Sequence, residues 1–238
     1  MGCHQPDTEL SRLNRVGHLR ALPVDPWTYR VFQLALAFWR ISAGAFDCTI
    51  GARQAAAGRL PARGGDPGAA AGSSSDIDLS ESSRVRYRGK LYVDLGGIAK
   101  GFAVDRAVDA LRRAGATAGV VNAGGDLRAF GASAEPVHVR LERGLVSIGE
   151  IQNAAVATSC SESTPPPGLP ILDGRSARRP VARLVSVFAA HCVVADALTK
   201  IVALRGARSA AALARCGAEA LCREQASGRW SRIGARAS

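Results

Sequence analysis

No two cysteines stand at CxxC spacing. The six, at 3, 48, 160, 192, 216 and 222, have no metal-ligand spacing and no obvious disulfide framework, which excludes a zinc-finger class. They read as small buried apolar residues, with Cys216 and Cys222 able to pair only if their flanking elements fold back on each other. Aromatic residues are scarce, at 5% of the chain, and little interleaved with basic ones, so no stacking platform for RNA is encoded. Long basic runs are missing too, which removes a polybasic membrane anchor. The N-terminus, Met-Gly-Cys-His-Gln-Pro, has no basic segment followed by an apolar one and therefore no signal peptide. The longest apolar-rich run, Val31 to Trp39, is too short to span a bilayer and is interrupted by Gln33. As written, the chain reads as soluble and cytoplasmic, with no transmembrane segment.

What is present is a globular composition. With 238 residues, 47% of them hydrophobic, the chain can bury a substantial core, as one large domain or as two packed lobes. The formal charge of +11 and pI near 10.2 raise nucleic acid or an anionic membrane as partners. The basic residues are nearly all arginines scattered among alanines and glycines, so we read the charge as compositional, with a side benefit for an anionic dinucleotide. Nucleic acid is not expected as a partner. A basic nucleic-acid-binding domain stays as a rival reading, and it would show steeply salt-dependent retention.

Periodicity and punctuation predict the elements. A short helix spans Thr8 to Arg15, capped by Asp7 or Thr8. A longer one opens at Asp25-Pro26 and carries a core stripe of Tyr29, Phe32, Leu36 and Trp39, ending near Gly44. Ala45 to Gly51 reads as a turn or short strand, and 55–83, rich in Ala, Gly, Pro and Ser, as a surface loop or linker. Val85 to Val93 reads as a hairpin turning at Gly89 that delivers Asp94. Next come an amphipathic helix from Ile98 to Ala114, with Phe102, Val108 and Leu111 on one face, and a buried strand from Ala118 to Val121. Strands follow at Val137 to Leu141 and Val146 to Ile151, then a loop from Glu162 to Arg179 and a central strand from Val181 to Val193. Helices at Ala195 to Leu204 and Ser209 to Arg215 and strands at Ala218 to Arg223 and Arg229 to Ile233 close the chain. Strands and helices without strict βαβ repetition imply α+β, mixed β-sheets with packed helices.

The most informative stretch is Tyr92-Val-Asp-Leu-Gly-Gly-Ile-Ala-Lys-Gly-Phe-Ala-Val-Asp105. An extended segment ends in an acid, turns on two glycines and opens a helix with a lysine on its first turn, which suits an anion: helix amides and dipole favour phosphate, and Lys100 adds a charge. Asn122-Ala-Gly-Gly-Asp126 is either a tight turn or a close approach to a ligand. Asp196, at the head of an apolar helix, is an N-cap or a metal ligand.

Taken with Val121-Asn-Ala-Gly-Gly-Asp126 and Ala195-Asp-Ala-Leu-Thr-Lys-Ile201, this stretch resembles the ApbE family of flavin transferases. The resemblance extends to Ser11-Arg-Leu-Asn14, Gly44-Ala-Phe-Asp-Cys-Thr-Ile-Gly51 and Ala157-Thr-Ser159, so it covers most of the chain. It implies one domain over 1–238 with 55–83 a loop within it, and transfer of FMN from FAD to a threonine or serine hydroxyl of a partner flavoprotein, with magnesium and release of AMP. It places Asp94 and Lys100 on the FAD, the Gly97 carbonyl on the metal, Asp196 and Thr199 as further metal ligands, and Ile171 and Leu172 against a ring. Two departures stand out. Lys200 occupies a position where relatives carry a ligand and cannot ligate a cation while protonated. Pro170 stands where many relatives have a histidine, which leaves Asp173 and His191 as candidate proton acceptors; His191, at a strand end, also reads as a hydrogen-bonded core histidine. Relatives are often exported or membrane-attached on the periplasmic side, and a chain starting this near the Ser-x-Leu-Asn motif implies a leader and first strand ahead of it. The alternative is a catalytically impaired FAD-binding protein, suggested by Pro170, Lys200 and the degenerate 55–83 stretch.

Overall fold

The computed structural model describes residues 1–61, 72–141, 144–160, 171–176, 180, 184–224 and 227–234. The chain divides into two compact units, Met1–Ala99 with Leu169–Arg179 and Lys100–Gly168 with Pro180–Ser238. Among the described residues no helix is long and apolar enough to cross a membrane.

The first unit opens with α1 (Glu9–Val16), capped as expected by Thr8, whose hydroxyl accepts the Ser11 amide. After β1 (Leu22–Pro23), α2 (Pro26–Ile41) starts on the Asp25 cap with proline in its first turn. Its buried stripe is Val31, Phe32, Ala35, Leu36 and Phe38, whereas Tyr29 and Trp39, expected in the core, are half-buried. Helix α3 (Gly51–Ala56) follows a 3-10 turn at Cys48–Ile50. Strands β2 (Ile77–Ser80) and β3 (Arg84–Tyr87) complete an antiparallel sheet in the order β1-β3-β2.

Two expectations are corrected in this unit. The hairpin lies earlier than expected: β3 pairs with β2, Ile77 opposite Tyr87 and Ser80 opposite Arg84, so its turn is Glu81 to Ser83 and not Gly89. Leu91, Tyr92 and Val93 are all buried, without the alternation of a half-exposed strand. The Asn14 side chain bridges Val93 N and O at 2.9 Å each, the Gly51 amide donates to Tyr92 O, and the Asp94 amide donates to Cys48 O. The second correction concerns 55–83, part of which is structured: α3 reaches Ala56, a 3-10 turn covers Ser74–Asp76, and β2 follows. Ser74 is 1% exposed because its hydroxyl and amide both donate to the Asp47 carboxylate, at 2.7 and 3.2 Å. A buried carboxylate needs such donors, and serine supplies two at little volume.

The second unit begins with α4 (Ala99–Arg113; Ala99 belongs to the first unit), followed by β4 (Gly119–Ala123), β5 (Asp126–Phe130), β6 (Glu135–Leu141), β7 (Gly144–Ile151) and β8 (Ala155–Cys160). It continues with β9 (Leu184–Ala189), α5 (Cys192–Arg205), α6 (Ala210–Arg215), β10 (Glu219–Arg223) and β11 (Trp230–Ile233). Six strands form an antiparallel sheet in the order β11-β10-β9-β8-β5-β4, and β6 and β7 pair separately. The central strand β8 carries apolar residues on both faces. Val156 joins Ala129, Val137 and Ile151 in one cluster, which puts the β6–β7 hairpin over one face. Ala155 packs with Val104 and Cys192 on the other, where α5 lies along β8 and β9.

The long strand expected from Val181 to Val193 stops at Ala189, and α5 starts at Cys192; 181–183 lie outside the described residues. β-branched composition favoured a strand, but a buried acid from α4 captures the Cys192 and Val193 amides and fixes a helix start there. β4 is a half-exposed edge strand, with Val120 43% exposed, and not the buried strand expected. Leu111 is exposed as well, and the buried face of α4 is Phe102, Val104 and Val108. All six cysteines are thiols, so Cys216 and Cys222 are not paired.

Candidate active site

In the first unit, the expected anion turn is tied down by its acid. The Asp94 carboxylate accepts the Gly96 amide at 2.9 Å, and neither Gly96 nor Gly97 takes a positive φ. Asp173 lies on a loop of the same unit, with one carboxylate oxygen accepting the Arg175 amide and the other the Ser176 hydroxyl, each at 2.9 Å. Arg53 anchors this loop by donating to the carbonyls of Asp173 and Ser176. Ile171 is buried and Leu172 half-buried; Pro170 lies outside the described residues. A cleft of about 590 Å³ is lined by Trp39, Arg40, Asp47 and Arg175 among others, an aromatic face with guanidinium groups beside it.

The second unit gathers the charges. Lys100, on the first turn of α4, is 45% exposed and pairs at 3.2 Å with Asp126, whose side chain is 2% exposed. Asp126 is delivered by a two-residue hairpin turn: Gly124 and Gly125 have φ of +64° and +96°, and the Gly125 amide donates to the Asn122 side chain. Both glycines are there for left-handed backbone. A Cβ on either would meet nothing within 4 Å, so within the protein it is the left-handed backbone of the turn that calls for glycine at both positions.

The next residue along α4, Gly101, is where a glycine is required by contact. A Cβ there would lie 2.5 Å from the Cys192 carbonyl oxygen and 2.8 Å from the Asp196 Cβ. That proximity lets the Gly101 amide donate to Asp196 Oδ2 at 3.0 Å. Asp196 is wholly buried. Its Oδ1 accepts from Lys200 Nζ one turn further along α5, and its backbone carbonyl accepts from Lys200 Nζ at 3.1 Å and from the Thr199 hydroxyl at 2.7 Å. Thr199 shares a 2.8 Å hydrogen bond with Ser159 of β8. Burial, reinforced by the Asp196 charge and opposed by Lys200 and Lys100, pushes the Asp126 carboxyl up to about 6.

His191 is a correction to the core reading: it is exposed and stands at the N-cap of α5 with no capping bond from its side chain. The cap comes from α4. Asp105, 2% exposed, accepts the Cys192 and Val193 amides at 3.0 and 2.9 Å and an Arg128 nitrogen at 2.8 Å.

Gly97 belongs to the first unit, and among the described residues no group of three His, Cys, Asp or Glu side chains is placed to hold a metal. The magnesium ligands implied for the second unit do not fit that ion as they stand. Both Asp196 oxygens are engaged, one of them by an ammonium, and the Thr199 hydroxyl is engaged with Ser159 and its own helix. Two unit charges 4 Å apart at an effective dielectric near 20 repel by about 4 kcal/mol, and a divalent ion beside an ammonium doubles that.

Sequence reasoning brought up Lys100, Asp196, Thr199 and His191, which the second unit holds. It gave no role to Gly101, Asp126, Asp105 or Ser159. Gly101 had a readable signal: a helix interior glycine costs about 1 kcal/mol against alanine unless something must pass close by.

The model of the ApbE family matches residues 1–222. Among solved structures, the chain is similar to a mutant of the flavin transferase ApbE from Vibrio cholerae, with TM-score 0.82 and 23% identity over 98% of this chain and 82% of that one. It is similar to the ApbE protein from Thermotoga maritima, with TM-score 0.77 and 25% identity over 95% and 81% of the two chains. The flavinyl transferase ApbE of Pseudomonas stutzeri gives TM-score 0.79 and 20% identity over 97% and 79%. At such identities the likeness establishes the fold. No curated protein matches the chain.

Proposed function

The chain belongs to the ApbE family, and from that membership we propose that it is a transferase, moving FMN from FAD to a threonine or serine hydroxyl of a partner flavoprotein. The hydroxyl oxygen attacks the phosphorus on the FMN side of the pyrophosphate. The bond from that phosphorus to the bridging oxygen breaks, and AMP leaves with the oxygen and its electron pair. The hydroxyl proton passes to a base and on to AMP or solvent. Such a reaction asks the protein for positive charge on the phosphoryl oxygens and for positioning.

One observation carries the reading beyond family membership: an exposed lysine on the first turn of α4, anchored from below by the buried Asp126. Pairing with a buried acid orients Lys100 while its exposed flank stays available to a phosphate, and the positive end of the helix adds to its charge. Asp94, Ile171 and Leu172 enter as further FAD contacts. For the base, the two candidates are no longer equal. Both oxygens of Asp173 are committed to its own loop, whereas the His191 imidazole is exposed and makes no capping bond. We therefore assign proton removal to His191. No step is routed through magnesium, because the ligands present do not fit it.

Titration of FAD against the wild-type protein and Lys100→Ala tests the assignment. Loss of one charge-assisted contact, about 1.5 to 3 kcal/mol, weakens binding by roughly ten- to a hundredfold. Equal affinity in a variant that keeps its thermal transition would leave Lys100 a structural partner of Asp126.

A further inference from the structure

We propose that Lys200 is a built-in cation, its ammonium taking on the buried Asp196 the place that a divalent metal would need, so that phosphoryl charge is met in this chain by lysine and not by a metal at that carboxylate. The role in phosphoryl transfer rests on the function proposed above; the occupation of the site does not.

Three observations carry it. The Asp196 carboxylate is wholly buried with each oxygen engaged, Oδ1 by Lys200 Nζ and Oδ2 by the Gly101 amide, and Lys200 Nζ makes a second bond to the Asp196 carbonyl. A cation at Asp196 would have to displace Lys200. The hydroxyl that could extend a ligand set, Thr199, is itself committed to Ser159 and the Asp196 carbonyl. Finally, the cluster already balances its charge. The two buried acids Asp126 and Asp196 face two ammoniums, Lys100 and Lys200, and the other three all act on the Asp126 carboxyl. A divalent ion added to a neutral set leaves excess positive charge in a buried place.

Lysine suits this task within limits that chemistry sets. Its ammonium is a compact point charge with three donors. Two of those reach Asp196, and the side chain is 21% exposed, so the third remains for an anion. The i,i+4 spacing on α5 fixes the head group beside the acid.

The test uses Mn²⁺ as a paramagnetic probe, titrated into the wild-type protein, Lys200→Thr and Lys200→Met and read by its electron paramagnetic resonance signal. Lys200→Thr, which removes the ammonium and adds a hydroxyl, should bind Mn²⁺ about tenfold or more tighter than wild type. Lys200→Met, which removes the charge alone, should also bind it more tightly than wild type. In parallel, FAD turnover by the wild-type protein should stay within about twofold whether a chelator or millimolar Mg²⁺ is added. Mn²⁺ binding by wild type as tight as by the variants overturns the proposal, and so does collapse of wild-type turnover on chelation. If Lys200→Thr does not fold, Lys200→Met and the wild-type measurements decide. Absence of FAD turnover under every condition, with the Mn²⁺ pattern as expected, would sink the flavin-transfer reading and leave the cation assignment standing.

Discussion

At the scale of single residues, contacts that join distant parts of the sequence decide the chemistry. Lys100 was readable from a glycine turn opening a helix, and Asp196 from the apolar run around it, although the N-cap reading of Asp196 fails because α5 begins at Cys192 and holds Asp196 one turn inside. Asp126 and Asp105 were not, because their partners lie 26 residues before and 23 residues after them, at Lys100 and Arg128. Gly101→Ala should destabilise the protein by about 1 to 3 kcal/mol by overpacking, despite alanine's better helix propensity. A urea midpoint at or above wild type would show that α4 and α5 can move apart cheaply. For proton removal, His191→Asn should lower the transfer rate by about a hundredfold or more, while Asp173→Asn should leave it within about threefold of wild type. The reverse ranking would return the role to Asp173. Asp126 gives a pH prediction with a defined sign. Its folded value, about 6, lies above the ordinary 3.8. Between about pH 4 and 6 the folded state thus holds more protons than the unfolded one, and stability from this group falls as pH rises through that window. Asp126→Asn should flatten that part of the stability profile, measured by denaturant unfolding at several pH values; an unchanged slope would contradict the burial of an ionisable acid there.

At the scale of elements, the sequence located most helices and strands, and its failures share a cause. Helices α1 and α2 were legible from their caps at Thr8 and Asp25 and from apolar spacing. The β2–β3 hairpin was misplaced because Gly89 looked like the turn, while Glu81 to Ser83 served, with Ser83 at φ +53°. The start of α5 was hidden because its cap is borrowed from α4, so nothing near His191 announces it. If Asp105 holds both the α5 amides and the buried Arg128, then Asp105→Ala should cost about 3 to 5 kcal/mol, the range for breaking a buried pair. Far less loss in chemical denaturation would mean that water replaces the carboxylate.

At the scale of the whole molecule, the α+β architecture followed from mixed strands and helices, and family membership followed from several spaced motifs and not from any single loop. The charge of +11 is spread among arginines and finds no role in the contacts around Asp126 and Asp196, where the cations are lysines. The most direct measurement incubates the protein with FAD and a threonine-containing candidate flavoprotein, then determines the acceptor's mass and the AMP released. Transfer predicts an acceptor heavier by one FMN moiety on a threonine or serine, with AMP formed in equal amount. FAD recovered intact from the protein, with no AMP and an acceptor of unchanged mass, would contradict it and leave a flavin-binding protein without transferase activity.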